Sequence, residues 1–360
     1  MYANVDLIIP QQELDAGEIA WRSPANIAIT KYWGKFADQQ PRNASISLTL
    51  NNATTTSVLT FTPKAVETDE ISLQLFFEEQ ANPKFTEKVQ KYFAKLLPIF
   101  PFLKQFDFTV HTKNSFPHSA GIASSASSMS ALSLCLCSME EHFFGKTLSD
   151  FDFDKKASYI ARLGSGSACR SIYPIAALWG KIDGIDITSN DFALPLEGHV
   201  HPVFMDMHDA ILMVSKAEKS VSSSVGHALM DNNEYAPARF EQAQKHNLFL
   251  LKALEEGDIK IFGNIAEREA LSLHALMMTS EPPFLLMQPN SLAIIEKIRA
   301  YRKDTQHDIY FTLDAGPNIH LLYPDDIVTS VESFIKSDLA PFCEGGEWLA
   351  DYVGEGPEQV

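Results

Sequence analysis

Apolar and polar positions alternate with a period of two over residues 19–59, in IAITKYW, ASISLTL and TTTSVLTF. β-Branched side chains dominate these runs, which predicts strands. ISLQLFF (71–77) and FDFTVHTKN (106–114) read the same way, while FTEKVQKYFAKLLPIF (85–100) places its apolar residues at helical spacing, with Pro98 near its end. Residues 116–128, FPHSAGIASSASS, form a glycine- and serine-rich turn that runs into the apolar helix MSALSLCLCSMEEHFF. FDKKASYIARLGSGSACRSIY (153–173) predicts a helix leading into a second Gly/Ser segment, and AALWGK and IDIT predict short strands. The texture changes near residues 193–201. HDAILMVS is a strand, helices follow over about 237–255 and 259–278, SLAIIEKIRAYRK is amphipathic, and DIYFTLDAGPNIHLLYP is two strands around a turn. VTSVESFIKS is a last helix. Strands and helices mix without regular βα alternation, so the fold class is α+β. The expected division is 1–195, 196–343 and a loosely held acidic tail over 344–360.

Composition narrows the partners. The chain has 360 residues, 45% apolar and 21% charged, in the range of ordinary globular proteins with room for two domains. Its net charge of −17 disfavours nucleic acid and anionic membrane surfaces. Any phosphate-binding site must therefore be locally basic inside an acidic protein. Cys135, Cys137, Cys169 and Cys343 show no CxxC pair, which fits a reducing, cytoplasmic setting. The N-terminal segment carries acids and lacks a long apolar stretch, so it does not read as a signal peptide, and no run approaches a membrane helix.

Four segments join the serine loop as candidate chemistry. The loop offers Gly121 for close backbone approach and Ser124 and Ser125 as hydroxyl donors, ahead of a helix N-terminus that favours anions. SPANIAITKYWGK (23–35) brings Lys31, Tyr32, Trp33, Gly34 and Lys35 together. RLGSGSACRS (162–171) supplies Ser165, Gly166, Ser167 and Arg170, whose guanidinium suits a carboxylate or phosphate. KSVSSS (219–224) sets Lys219 beside Ser222, Ser223 and Ser224, and DAGPN (314–318) puts Asp314 at a strand end. Taken singly, each also reads as a capped helix, a turn or a solvated strand end. The histidines form no zinc motif, so a metal would be a hard ion held mostly by phosphates and water.

Together and in this order, SPANIAITKYWGK, PRNASISLTL, NSFPHSAGIASSAS, ARLGSGSACRS, KSVSSS and FTLDAGPN resemble the GHMP kinase superfamily and, within it, the diphosphomevalonate decarboxylase family. The resemblance implies an N-terminal domain like the second domain of ribosomal protein S5, a ferredoxin-like C-terminal domain, and an active site in the cleft between them. It implies conversion of ATP and 5-diphosphomevalonate to isopentenyl diphosphate, CO2, ADP and phosphate, in a cytoplasmic homodimer. By likeness, Asp314 is the catalytic acid–base group and Lys31 holds it in register. Tyr32, Trp33, Gly34, Lys35, Ser165, Gly166, Ser167, Arg170 and Ser222 to Ser224 would line the substrate side. Asn114, Gly121, Ser124, Ser125 and Lys219 would hold ATP, with Ser125 a contact for Mg2+.

Three departures touch phosphate binding. Ser224 stands where many bacterial relatives carry arginine. In the helix before the serine loop the nearest cations to the position where relatives carry an arginine are Lys84 and Lys88, neither a clean match, and His118-Ser119 follow Pro117 where the family loop reads PTAAGLASSA. Neighbouring activities are therefore decarboxylation of 5-phosphomevalonate or phosphorylation of the 3-hydroxyl without CO2 loss. A catalytically inactive nucleotide-binding protein is the alternative of another class.

Overall fold

The computed structural model describes residues 1–66, 68, 70–117, 124–217 and 221–360. In chain order its main elements are β1 (Gly17–Ala28), β2 (Ser45–Pro63), β3 (Ser72–Phe77), β4 (Gln80–Ala81), α1 (Pro83–Leu96), β5 (Phe106–Asn114), α2 (Ser124–Phe144), α3 (Asp150–Gly164), β6 (Ala176–Trp179) and β7 (Ala193–Pro195). There follow α4 (Pro202–Met205), β8 (His208–Leu212), α5 (Ser223–Ala228), α6 (Ala236–Glu256), α7 (Ile259–Met278), α8 (Pro289–Thr305), β9 (Tyr310–Thr312), β10 (Ile319–Tyr323), α9 (Val328–Phe334), β11 (Trp348–Tyr352) and β12 (Glu358–Gln359). The mixture is α+β, as the patterning predicts.

The first sheet runs β12-β1-β2-β5-β3-β4, with β6 on the other half of β2 and β7 beside β6. β2 is the spine. Residues 45–50 are buried on both faces, and from residue 53 onward only alternate positions are buried. The doubly buried half is where other elements cover both faces, and the alternating half leaves one face to solvent. α2 is apolar nearly all round because it lies between this sheet and α3. The second sheet is antiparallel in the order β11-β8-β10-β9. One apolar cluster crosses between the two units. Ile27, Ile29, Ile46 and Leu48 from the first pack with Ile211, Met213, Leu254 and Phe262 from the second. The strand ends that carry the candidate chemistry are therefore fixed against each other.

Three expectations change. ASISLTL and TTTSVLTF belong to one strand, because Asn51 and Asn52 do not form a turn. The buried Asp351 carboxylate accepts the amides of Asn51 (3.0 Å), Asn52 (2.7 Å) and Ala53 (2.7 Å) and keeps that backbone paired. IDIT is not a strand. Gly184 turns the chain at φ +83°, and Thr188 closes the turn by bonding the Ile182 amide and the Ile185 carbonyl. The segment over 344–360 is not a loosely held tail. β11 extends the second sheet beside β8, and β12 pairs with β1 of the first, where Arg22 and Glu358 form an ion pair.

Asp351 ties this segment to β2, so removing its carboxylate takes the acceptor from one buried and two part-buried amides. Asp351→Ala is expected to lose about 2–4 kcal/mol of stability in urea denaturation. Unchanged stability would mean the segment is only loosely attached.

Candidate active site

Beyond the end of β1 the backbone is held by its neighbours. Ile29 and Thr30 donate their amides to Ile46 O, and the Thr30 hydroxyl donates to Asn247 Oδ1 at 2.6 Å. The next residue, Lys31, is only 1% exposed. An unpaired ammonium at such depth would cost several kcal/mol. Here Nζ donates to Ala28 O at 2.5 Å and to Asp314 Oδ1 at 2.8 Å. Burial pulls the Lys31 ammonium below its usual value, and the Asp314 carboxylate opposes that pull. Asp314 follows β9 in a turn in which the Gly316 amide bonds the Asp314 carbonyl at 2.7 Å. Its side chain is 28% exposed, so the carboxylate meets the open cleft while its lysine partner is sealed.

Arg170 lies on the short 3-10 helix after α3 and is 2% exposed. Its guanidinium is held by neutral oxygens: Asn26 Oδ1, Ser45 Oγ at 2.5 Å and Ser47 Oγ at 3.0 Å. Among the described residues no carboxylate forms an ion pair with it. Burial lowers its pKa, yet a guanidinium stays charged. The site thus holds a fixed cation whose charge is not spent on the protein.

Lys31, Asp314 and Arg170 share one cleft of about 1030 Å³ with Tyr32, Trp33, Lys35, Ser165, Gly166, Ser167, Ser223 and Ser224. Lys35 bonds the neutral Gln39 Oε1 at 2.8 Å, and burial lowers its pKa. Two predicted substrate residues are placed otherwise. Ser222 caps α5 by accepting the Val225 amide at 3.3 Å, which is the ordinary role of serine at a helix start. Gly34, at φ +88°, donates its amide to His227 Nδ1 at 3.0 Å and is not part of the cleft wall.

A second, mostly apolar pocket of about 640 Å³ lies beside the cleft, between β3, α1, β5 and α2. Leu75, Phe77, Val89 and Leu132 form its walls, and Asn114, Ser124 and Ser125 line it. Asn114 Nδ2 is buried with no hydrogen-bond partner among the described residues, so a donor is available to a ligand there. Ser125 and Lys88 border both spaces. Lys88, which the sequence did not single out as a ligand, is the cation at their junction, and the protein around it lowers its pKa. Gly121 and Lys219 lie outside the described residues. No group of three or more His, Cys, Asp or Glu side chains among the described residues could hold a metal, so Mg2+ would depend on Ser125 and bound phosphates. No described helix is long and apolar enough to cross a membrane.

Known proteins resemble this chain over most of its length. Residues 23–189 match the diphosphomevalonate decarboxylase-like N-terminal domain, and residues 210–352 match the mevalonate 5-diphosphate decarboxylase C-terminal domain. A diphosphomevalonate decarboxylase from Saccharomyces cerevisiae is 30% identical over 87% of this chain and 79% of its own. The chain belongs to the diphosphomevalonate decarboxylase family. The crystal structure of mevalonate diphosphate decarboxylase from Staphylococcus aureus superposes with a TM-score of 0.82 at 26% identity, covering 96% of this chain and 98% of the other. A relative solved with MVAPP, AMPPCP and magnesium gives 0.80 at 25% identity, over 96% and 99%. The GHMP kinase fold follows, with its S5 domain 2-like and ferredoxin-like parts.

In this decarboxylase-family chain, three further residues support the site, and sequence reasoning missed them. Glu269 of α7 is fully buried and accepts the Lys31 amide (2.8 Å), Arg239 Nη2 (2.5 Å) and His246 Nδ1 (2.5 Å). Burial pushes this carboxyl up, but Arg239, His246 and the Lys31 amide outweigh that and hold it below its usual value. Arg239 and His246 lie on α6, so the α6–α7 pair grips the backbone of the lysine from behind. No short motif marks the cluster. The spacing of α6 and α7 shows helices, not which of their polar residues meet.

A carboxyl with a depressed pKa adds stability that is complete above its unfolded value of 4.5 and lost as pH falls through its lower folded value. Glu269→Gln is therefore expected to cost about 3–5 kcal/mol near pH 7. Its deficit against wild type should shrink as pH drops below about 4.5. Denaturation midpoints across pH 3–7 check this, and a deficit that does not change with pH would contradict it.

Proposed function

We propose that the chain phosphorylates the 3-hydroxyl of 5-diphosphomevalonate with ATP and then expels CO2, giving isopentenyl diphosphate, ADP and phosphate. The observation that carries this reading is the Lys31–Asp314 pair, 2.8 Å apart, with its carboxylate open to a cleft that also contains Arg170. A simple phosphate-binding protein has no need of a carboxylate beside an anion. An enzyme that must activate an alcohol does.

Asp314 accepts a hydrogen bond from the 3-hydroxyl and takes its proton as the oxygen attacks phosphorus. A carboxylate with an ordinary pKa near 4 is a weak base toward an alcohol, so its value is mainly positional, with proton transfer late in a loose transition state. Lys31 fixes the carboxylate through the 2.8 Å hydrogen bond from Nζ. ATP supplies the γ-phosphoryl group, and Mg2+ offsets the charge of its phosphates. Asn114, Ser124 and Ser125 would hold the nucleotide side, where the apolar walls suit a purine, and Lys88 stands where its phosphates would enter the cleft. Phosphorylation turns a poor leaving group into a good one. The C3–O bond then breaks toward phosphate, while the electrons of the bond to the carboxylate form the new double bond.

Arg170 is the partner of the C1 carboxylate in this scheme. A mobile arginine that followed the charge would stabilise the ground state and resist CO2 loss. Asn26, Ser45 and Ser47 fix this one, so its role is to orient the breaking bond. Lys35, Ser223 and Ser224 fall to the phosphorylated end. A homodimer in the cytoplasm remains part of this proposal.

The test is a substrate panel. Mevalonate, its 5-phosphate and its 5-diphosphate are compared by coupled ADP release and by CO2 release. The 5-diphosphate is expected to give the highest kcat/KM, with one CO2 per ADP. Equal or better turnover of the monophosphate would reassign the substrate, and ADP without CO2 would reassign the reaction. Asp314→Asn is expected to retain ATP and substrate binding while kcat falls by about 10³-fold or more. Substantial residual turnover would remove Asp314 from the central role.

A further inference from the structure

His227 is a cleft residue that none of the sequence motifs marked. It lies on α5, is 7% exposed, and forms part of the wall that contains Lys31, Lys35 and Asp314. Its ring sits against Tyr32 and Trp33, with centroids 4.5 Å from each. Gly226 permits the approach, since a Cβ there would meet Trp33 Cζ2 at 2.5 Å. The ring is therefore held on its faces and at one edge.

The held edge fixes the tautomer. Nδ1 accepts the Gly34 amide at 3.0 Å, and an accepting ring nitrogen carries no proton. The proton of the neutral ring is then on Nε2. That atom bonds no described residue, and the ring lines the cleft. Burial, with the charge of Lys35 adding to it, lowers the pKa of the ring to about 3, so the imidazole stays neutral near pH 7. Among the described residues, Lys35, the neighbour of Gly34, has only a neutral partner in Gln39. An ammonium without a carboxylate partner among the described residues and a fixed N–H donor therefore line the same cleft.

We infer that His227 Nε2–H donates a hydrogen bond to a phosphate oxygen of the substrate, beside Lys35, and so helps to select the phosphorylated end. A neutral donor suits this position. Lys31, Lys35, Lys88 and Arg170 already place four cations in the cleft, and a fifth would add mutual repulsion whenever the site is empty.

The inference rests on the function proposed above, and two variants test it. His227→Leu removes the donor at similar volume. His227→Gln restores an N–H near the position of Nε2. Both lose the bond from Gly34, so a purely structural role would affect them alike. With 5-diphosphomevalonate, KM is expected to rise about 10-fold in His227→Leu, with kcat falling less than KM rises and the KM for ATP unchanged. Such a rise corresponds to about 1.4 kcal/mol. His227→Gln should recover most of it. In the free wild-type enzyme, ¹⁵N shifts should show the Nε2–H tautomer at pH 7. Equal KM values in both variants, or an imidazolium signal at pH 7, would overturn the assignment. If wild type fails to turn over 5-diphosphomevalonate, the proposed function falls. His227 is then judged by titrating inorganic diphosphate, where about 10-fold weaker binding to His227→Leu than to wild type supports it and equal binding refutes it.

Discussion

Everything at this site depends on keeping one lysine charged where water cannot reach it. Lys31 is 1% exposed, and its ammonium persists because Asp314, 283 positions further along the chain, stands 2.8 Å away. The pair joins the end of β1 to the turn after β9, and so joins the two sheets. That geometry requires the shared apolar cluster between the units to be in place, and Glu269 to hold the Lys31 amide. If the units shifted by an ångström or two, the lysine would lose its compensation and the carboxylate its orientation. Removing one partner of such a pair is more costly than never having built it, since the other charge stays behind.

The same logic explains how a chain with net charge −17 offers a site for a polyanion. The protein does not cover its acidic surface with lysines. It sets a few cations into the cleft wall and, among the described residues, leaves Lys35, Lys88 and Arg170 without a carboxylate partner. Arg170 is satisfied by an amide oxygen and two hydroxyls, and Lys35 by an amide oxygen. Neutral acceptors satisfy hydrogen bonds but leave the charge uncancelled, and a low-dielectric wall lets it act over a longer range. Among the described residues, Lys31 is the one cleft cation paired with a carboxylate, and that carboxylate is the one assigned to the chemistry.

Arg170 and Asp314 were legible in the sequence because each sits in a local run of glycine, serine or turn residues that an ordinary core does not need, and Lys31 and Lys35 because two cations interrupt an apolar, aromatic run. The alternation in β1, β2 and β5 and the periodicity of α6 to α8 were legible too, since burial on one face imposes it. What was hidden arises between segments. Glu269, Arg239 and His246 look like ordinary polar positions on helices until α6 and α7 pack together. His227 carries no motif, because its tautomer is set by the backbone of Gly34. The segment over 344–360 looked loose because its acids suggested solvent, whereas Asp351 is buried by accepting amides from a strand some 300 residues earlier. Ser222 marks the opposite limit, where a serine beside functional neighbours turned out to cap a helix.

The most direct measurement is a double-mutant cycle on kcat/KM with Lys31→Met, Asp314→Asn and the double variant. If the two residues act as one unit, the double variant loses no more than the worse single variant, and the coupling approaches the full effect of one substitution. Losses that multiply, with negligible coupling, would contradict the view that the lysine works through the carboxylate.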